Sequence, residues 1–367
     1  MISVSQEIIP SSILFRKQYN LKKLLEDLNN PQDNFKVINV VGTNGKGSTS
    51  TFIYKNLFQK YRNVGLFTSP AFLYHNERIQ VNNEFIPDDF LKKSIGNNFD
   101  LFKKYELTFF EIWTFIAIEY FNFKKIEIAV IEAGIGGVKD ATSVFNNQIC
   151  VCVTSIGLDH IEVLGNKIEN IIENKIKIAK HNSKIYTTKK NYNYLEHFKK
   201  YTSNEIIFCE DFDDKTYQKY NKGIAKKVLE SLGITYDINT EPPLGRQTIL
   251  NKDPLFIIDG CHNLDGAQEL VKSIKNIEEF TILFGSSVGR ENNDMVKFLD
   301  SRFKNFYVTK FDHMKAWDLN LVNAKNKVYD WKEFLKNSDC NILVCGSLYF
   351  IPLVYDWYKE EKNDLIY

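Results

Sequence analysis

The run Val40-Val41-Gly42-Thr43-Asn44-Gly45-Lys46-Gly47-Ser48-Thr49 has the residue types of a phosphate-gripping turn. Glycines let the backbone curl so that its N–H groups and the start of the following helix face phosphate oxygens. Lys46 adds a positive charge against terminal phosphates, and Ser48 would face a magnesium ion. The usual nucleotide loop has four residues between its glycines and a Ser or Thr directly after its Lys. Here the spacer is two residues and Gly47 intervenes. A glycine turn with an exposed lysine is the competing reading. The position between a strand-like and a helix-like stretch favours nucleotide binding by Thr43, Asn44, Gly45, Lys46, Gly47, Ser48 and Thr49.

Such a turn needs a strand before it, a helix after it and neighbouring strands to carry its partners. Short apolar runs followed by helix-like stretches recur: Lys36–Val41 then Ser48–Lys60, Glu127–Ile131, and Ile149–Val153 then Asn166–Lys180. That alternation implies a parallel sheet with helices on both faces. Thr108 and Glu111 have capping-box spacing before the apolar helix Phe109–Phe121, and Pro87-Asp88-Asp89 opens another helix. The pattern weakens from Ser183 to Leu232, and Tyr236–Gly245, with Pro242-Pro243, carries turn residues instead of periodicity. The expected fold class is α/β: residues 1–240 form a P-loop ATPase-like domain with a parallel-rich sheet flanked by helices. Residues 241–367 form a smaller Rossmann-like α/β domain, where alternation restarts at Leu255–Ile258 and runs through Phe280–Leu283, Asn305–Val308 and Ile342–Val344.

Composition narrows the function classes. At 367 residues, 44% apolar and 25% charged, the chain suits two ordinary globular cores. Lys plus Arg (47) nearly balances Asp plus Glu (46), so no global field favours nucleic acid or an anionic membrane surface. No uninterrupted apolar run is long enough to span a bilayer, and Met1 to Asn20 lacks a signal-peptide pattern. A cytoplasmic protein with small-molecule substrates, no nucleic-acid or membrane partner and a monomeric state is expected. Six cysteines without ligand spacing read as reduced core thiols, with Cys150 and Cys152 on one strand face.

Further motifs follow in order. Thr68-Ser69-Pro70-Ala71 precedes Glu77-Arg78-Ile79, and Thr108-Phe109-Phe110-Glu111 comes next. Glu132-Ala133-Gly134-Ile135-Gly136-Gly137 leads to Asp140-Ala141-Thr142, and Leu158-Asp159-His160 is followed by Leu164-Gly165. Gly245-Arg246, Asp259-Gly260-Cys261-His262-Asn263 and Gly346-Ser347-Leu348-Tyr349 complete the series. Together these resemble the folylpolyglutamate synthase and dihydrofolate synthase family of the Mur ligase superfamily, over about Leu21 to Phe350. The glycine after Lys46 resembles that family's loop, whereas Mur ligases of cell-wall synthesis typically have Thr or Ser there.

The resemblance implies an ATP-dependent amide ligase that adds L-glutamate to dihydropteroate, to the glutamate tail of reduced folates such as tetrahydrofolate, or to both, through an acyl phosphate. It implies two magnesium ions held by Ser48, Ser69, Glu132, His160 and a carbamylated Lys175, with Lys46, His160 and Lys175 as catalytic residues. Arg246, Asp259 and His262 would complete the ATP site, Arg246 at the phosphates and the other two near the ribose. Each has a plainer reading: His160 as a surface or capping group, Lys175 as a solvated lysine, Asp259-Gly260 as a structural turn. Departures from the family pattern are Ala71 for His, Val138 for Arg, Cys261 for Ala, Asn174 for Glu and Lys177 for Gly. Two rival functions stay open: another amino-acid ligase of the same fold, and a nucleotide-binding regulator without chemistry.

Overall fold

The computed structural model describes residues 1–10, 20–159, 161–288 and 292–364. Two compact units emerge: residues 1–214 with 218–242, and residues 215–217 with 243–367.

The larger unit is built on β1 (Lys36–Val41), β2 (Val64–Phe67), β3 (Ile79–Val81), β4 (Glu84–Phe85), β5 (Ile128–Glu132), β6 (Gln148–Val153), β7 (Lys184–Thr188) and β8 (Ile206–Cys209). They form one sheet in the order β4-β3-β2-β5-β1-β6-β7-β8. Pairing is parallel from β2 to β8 and antiparallel in the β2-β3-β4 edge. The β3–β4 hairpin turns at Asn82 and Asn83, both at positive φ (54° and 65°), the conformation a tight two-residue hairpin loop requires and asparagine tolerates.

β1 is central, and Val37 to Val41 are buried because helices cover both faces of the sheet. One apolar layer joins Phe67, Trp113, Phe121 and Ile131, and the opposite layer joins Ile38, Val40, Phe52 and Val130. The helix Phe109–Phe123 is apolar nearly all round and buried from Glu111 to Ile118, as a largely enclosed helix must be. Its start is fixed by the expected capping box: Thr108 Oγ1 accepts from Glu111 N (3.3 Å), and Glu111 Oε2 accepts from Thr108 N (2.9 Å). Glu111 Oε1 also accepts from Leu21 N (2.8 Å), which ties in the helix Leu21–Asp27. Such a cap contributes about 1 kcal/mol.

The smaller unit contains β9 (Thr248–Lys252), β10 (Leu255–Asp259), β11 (Phe280–Gly285), β12 (Asn305–Thr309), β13 (Lys327–Val328) and β14 (Asn341–Gly346), in the order β13-β12-β11-β14-β10-β9. Only β9 is antiparallel, on the exposed edge. The fold class is therefore the α/β arrangement read from the alternation.

Three details differ from that reading. Between Ser183 and Leu232 the chain supplies β7, β8 and the helices Leu195–Tyr201 and Gln218–Ser231. The helix after the phosphate turn starts at Lys46, two residues early. All six cysteines are free, and Cys340 is exposed while the others are buried. Among the described residues no helix is long and apolar enough to cross a membrane.

Candidate active site

In a parallel sheet, ligand groups gather beyond the carboxyl ends of the strands, where successive connections leave to opposite sides. In the larger unit that place is the end of β1, flanked by the ends of β5 and β6. The phosphate turn leaves β1 at Gly42 and is sewn to the segment after β6. Thr43 N and Asn44 N donate to the carbonyl and hydroxyl of Ser155 (2.8 and 2.9 Å), and Thr43 Oγ1 donates to Gly157 O (2.9 Å). Thr43's hydroxyl therefore shapes the turn from within.

Gly45 caps the helix Lys46–Leu57 at φ +89°, a region that favours glycine. A β-carbon there would lie 2.1 Å from Asn221 Oδ1, which also accepts from Thr49 Oγ1 (3.4 Å). Lys46 Nζ folds back to the carbonyls of Gly42 and Thr43 (3.2 and 3.3 Å). Ser48 Oγ is buried and has no hydrogen-bond partner. An unsatisfied buried hydroxyl costs about 1–3 kcal/mol, so it marks a position suited to receive a ligand.

Gly47 explains the unusual spacing of the motif. A β-carbon on it would sit 3.4 Å from Glu132 Oε2, so glycine lets the carboxylate at the end of β5 rest against the first helical turn. Glu132 Oε2 accepts from Ser69 N (3.1 Å), and Ser69 Oγ accepts from Arg78 Nη1 (3.1 Å). Glu77 fixes the same loop by accepting from the amides of Phe72, Leu73 and Tyr74 at 2.6 to 3.2 Å. The Glu77-Arg78 pair is thus a scaffold for Ser69.

Lys175 comes from the helix Ile168–Ile176 and is 2% exposed. Its Nζ donates to Gly42 O (2.8 Å), the same carbonyl that Lys46 approaches. Burial, reinforced by the positive charge of Lys46, lowers the Lys175 pKa to about 7, against the pull of Asp159 and Asp140. Asp140 is itself buried and accepts from Ile135 N, Thr142 N and Thr142 Oγ1 (2.8, 2.9 and 2.6 Å), bracing the glycine-rich segment after Glu132. Gly42, Lys46, Gly134, Asp159 and Lys175 line one small concavity.

In the smaller unit, Asp259 ends β10 and is 1% exposed. Its Oδ2 accepts from Tyr217 Oη (2.6 Å) and Gln247 N (2.8 Å). Arg246 Nη1 donates to Gly260 O (3.1 Å), and His262 Nδ1 lies 2.9 Å from the same oxygen. Burial raises the pKa of Asp259, although Arg246 opposes the shift.

Lys46, Ser48, Ser69, Glu132 and Lys175 are thus grouped around the phosphate turn, and Arg246, Asp259 and His262 around one strand end. His160 lies outside the described residues. Among the described residues no three His, Cys, Asp or Glu side chains cluster as metal ligands. Asn221 and Tyr217 escaped the sequence reading, which named Asp140 in a motif without giving it a role. Asp140 carried a signal, in its Asp-Ala-Thr motif; a lone Asn in a lysine-rich helix, or a Tyr just before it, carries none.

Comparison with known proteins agrees with this geometry. The Mur ligase middle domain matches residues 40–251, more than half of the chain. A dihydrofolate synthase/folylpolyglutamate synthase of Bacillus subtilis is 28% identical, over 90% of this chain and 92% of its own. The folylpolyglutamate synthase of Thermotoga maritima superposes with a TM-score of 0.75 at 25% identity, covering 93% of this chain and 92% of that one. E. coli FolC in complex with DHPP and ADP superposes with a TM-score of 0.82 at 20% identity, covering 96% of each chain, a likeness of fold. On the middle-domain match, the glycine-spaced phosphate turn and the ordered motifs, the chain belongs to the Mur ligase family, in its folylpolyglutamate and dihydrofolate synthase group.

Proposed function

We propose that the chain is an ATP-dependent ligase that joins L-glutamate to dihydropteroate, to the glutamate tail of a reduced folate, or to both. The observation that carries this reading is the approach of Glu132 to Gly47, beside the unpartnered Ser48 hydroxyl and Lys46. A hydroxyl and a carboxylate converging beyond a phosphate turn suit magnesium-bound ATP, because both are hard oxygen donors. Ser48 and Glu132 would hold the ion, with Ser69 and His160 as further candidates and a second magnesium beside them. Bound magnesium neutralises charge on the phosphoryl group in transfer.

The chain's own residues bind and orient. Lys46 exchanges its contacts with the Gly42 and Thr43 carbonyls for phosphate oxygens, and the amides of Gly45 to Ser48 at the helix start face the same charge. Arg246 binds phosphate from the smaller unit, His262 takes the ribose side, and Asp259 holds the turn that carries both. The acceptor carboxylate attacks the γ-phosphorus, the bond to the β-phosphate oxygen breaks and ADP leaves. The glutamate amine then attacks the acyl carbon, and inorganic phosphate leaves with its C–O bond electrons.

Lys175 carries a carbamate in this reading. Carbon dioxide adds to a neutral amine with loss of a proton, and the buried Nζ, lowered to about 7, offers that amine at neutral pH. Labelling with 13C-bicarbonate and observing a carbamate resonance absent from Lys175→Met checks the assignment.

Purified protein incubated with ATP, glutamate and either dihydropteroate or tetrahydrofolate, with products read by mass, tests the function. Acceptor mass should increase by one glutamyl residue with stoichiometric ADP. ATP binding without ADP formation under every such pair would replace this reading with a regulator, and product formed only with another amino acid would replace it with a different ligase.

A further inference from the structure

The chain passes from one compact unit to the other between Tyr217 and Gln218. Tyr217 belongs to the smaller unit, and the next residue opens the helix Gln218–Ser231 of the larger. Each side of this crossing is anchored within its own unit, and both anchors touch the proposed nucleotide machinery.

On the first side Tyr217 N donates to Ser273 Oγ (2.9 Å), and Tyr217 Oη donates to Asp259 Oδ2 (2.6 Å). The hydroxyl is buried beside a carboxylate, both of which push its pKa far up, so it remains a fixed donor. Asp259 Oδ2 also accepts from Gln247 N, and Gln247 sits at φ +53°, a conformation that a glutamine adopts only when something holds it. Arg246 is the adjacent residue. The hydrogen-bond chain therefore runs from Tyr217 through one carboxylate oxygen to the backbone that aims the arginine.

On the second side Asn221 stands one helical turn after Tyr217. Its Oδ1 accepts from Thr49 Oγ1 and fills the space that a side chain on Gly45 would need, so its position is coupled to the first turn of the phosphate helix. Asn221 Nδ2 donates to Gln218 Oε1 (2.8 Å), which ties this anchor to the first residue past the crossing.

We propose that Tyr217 to Asn221 is a positioning strap that couples the phosphate turn of the larger unit to the seating of Arg246 in the smaller one. The inference rests on the reading of the phosphate turn given above. Tyr217 and Asn221 touch no reacting atom; they act through Arg246 and Gly45. A strap of this kind makes ligand at the phosphate turn felt at the arginine turn, because five consecutive residues carry both anchors.

The test is a double-mutant cycle of Tyr217→Phe and Asn221→Ala, read as kcat, KM for each substrate and melting temperature. Each single variant should lower kcat about 10-fold with KM for glutamate held, and should lower the melting temperature by several degrees, because each leaves buried polar atoms short of a partner. In the double variant the loss should stay near that of the worse single one, because either change already disconnects the strap. Losses that multiply to about 100-fold would overturn the proposal, as would an unchanged kcat in either single variant. If Asn221→Ala does not fold, Asn221→Ser takes its place in the same cycle. Lys46→Ala separates the two failures: retained ATP turnover there overturns the phosphate-turn reading itself. An inactive Lys46→Ala combined with multiplying losses overturns the strap alone.

Discussion

Both units place a carboxylate at the carboxyl end of a parallel strand beside a glycine turn, and they use it in opposite ways. Glu132 ends β5 against Gly47, next to a buried hydroxyl without a partner and a lysine resting on main-chain carbonyls. Asp259 ends β10 with its oxygen already taken by a buried phenol and a main-chain amide. The first arrangement sets a hydroxyl without a partner beside its carboxylate, whereas the second is satisfied from within. A buried carboxylate is thus a site component in one unit and a brace in the other, and motif identity alone does not separate the two.

Removing the charge at the open turn should have the largest effect. Lys46→Ala is expected to lower ADP formation by about 10³-fold or more, because it removes the fixed cation facing the transferred phosphoryl group. Melting temperature should stay within a few degrees, since Lys46 contributes only two contacts to carbonyls of its own loop. A steady-state coupled assay decides it, and a fall of less than about 10-fold would dissolve the contrast between the open and the braced turn.

The two carboxylates should separate activity from stability. Glu132→Gln is expected to cost about 10²-fold in kcat with little change in urea midpoint. Asp259→Ala leaves a buried phenol and amide without their acceptor, and should destabilise by about 2–4 kcal/mol in urea denaturation. Equal destabilisation by both would show that Glu132 is also a brace. Gly47→Ala refines the same point: the added carbon meets Glu132 Oε2 at 3.4 Å, a contact the fold can absorb. Its kcat should fall about 10-fold while stability holds or improves, because alanine favours a helix over glycine by about 1 kcal/mol.

How legible these features were depended on how each segment is buried. β1 could be read from its apolar run, because a central parallel strand is covered on both faces. β7 was missed because only Ile185 among its four buried positions is aliphatic; the others are Tyr186, Thr187 and Thr188, with Thr187 Oγ1 donating to Val153 O (2.8 Å) and Asn191 Nδ2 to Thr154 O. Hydrogen bonding stands in for hydrophobicity there, and an apolar pattern cannot reveal it. β9 was missed for the opposite reason: an edge strand, Thr248–Lys252, has no fully buried face. Within the site, Gly47 was visible as an oddity of spacing, but its cause, the carboxylate of a strand 85 positions later, required the fold. Lys175 looked like one of several helix lysines; only its burial against Gly42 sets it apart from Lys177, which pairs with Glu173 at the surface.

That burial gives the smallest and most specific expectation. A lysine near 10.5 when unfolded and about 7 when folded binds its proton more tightly in the unfolded chain across that interval. Stability of metal-free protein in buffer depleted of carbon dioxide should therefore rise with pH from about 7 towards 10.5, by at most about 1.4 kcal/mol per pH unit. Lys175→Met removes this dependence. The variant should exceed the wild type in stability at pH 6, and the gap should close above pH 7 in paired urea titrations. Bicarbonate at pH 8 should then stabilise the wild type and leave the methionine variant unchanged, because only the neutral amine can take up carbon dioxide. A gap that does not change between pH 6 and 9 would mean that Lys175 keeps its ordinary affinity for the proton, and the open turn would lose the amine that its carbamate requires.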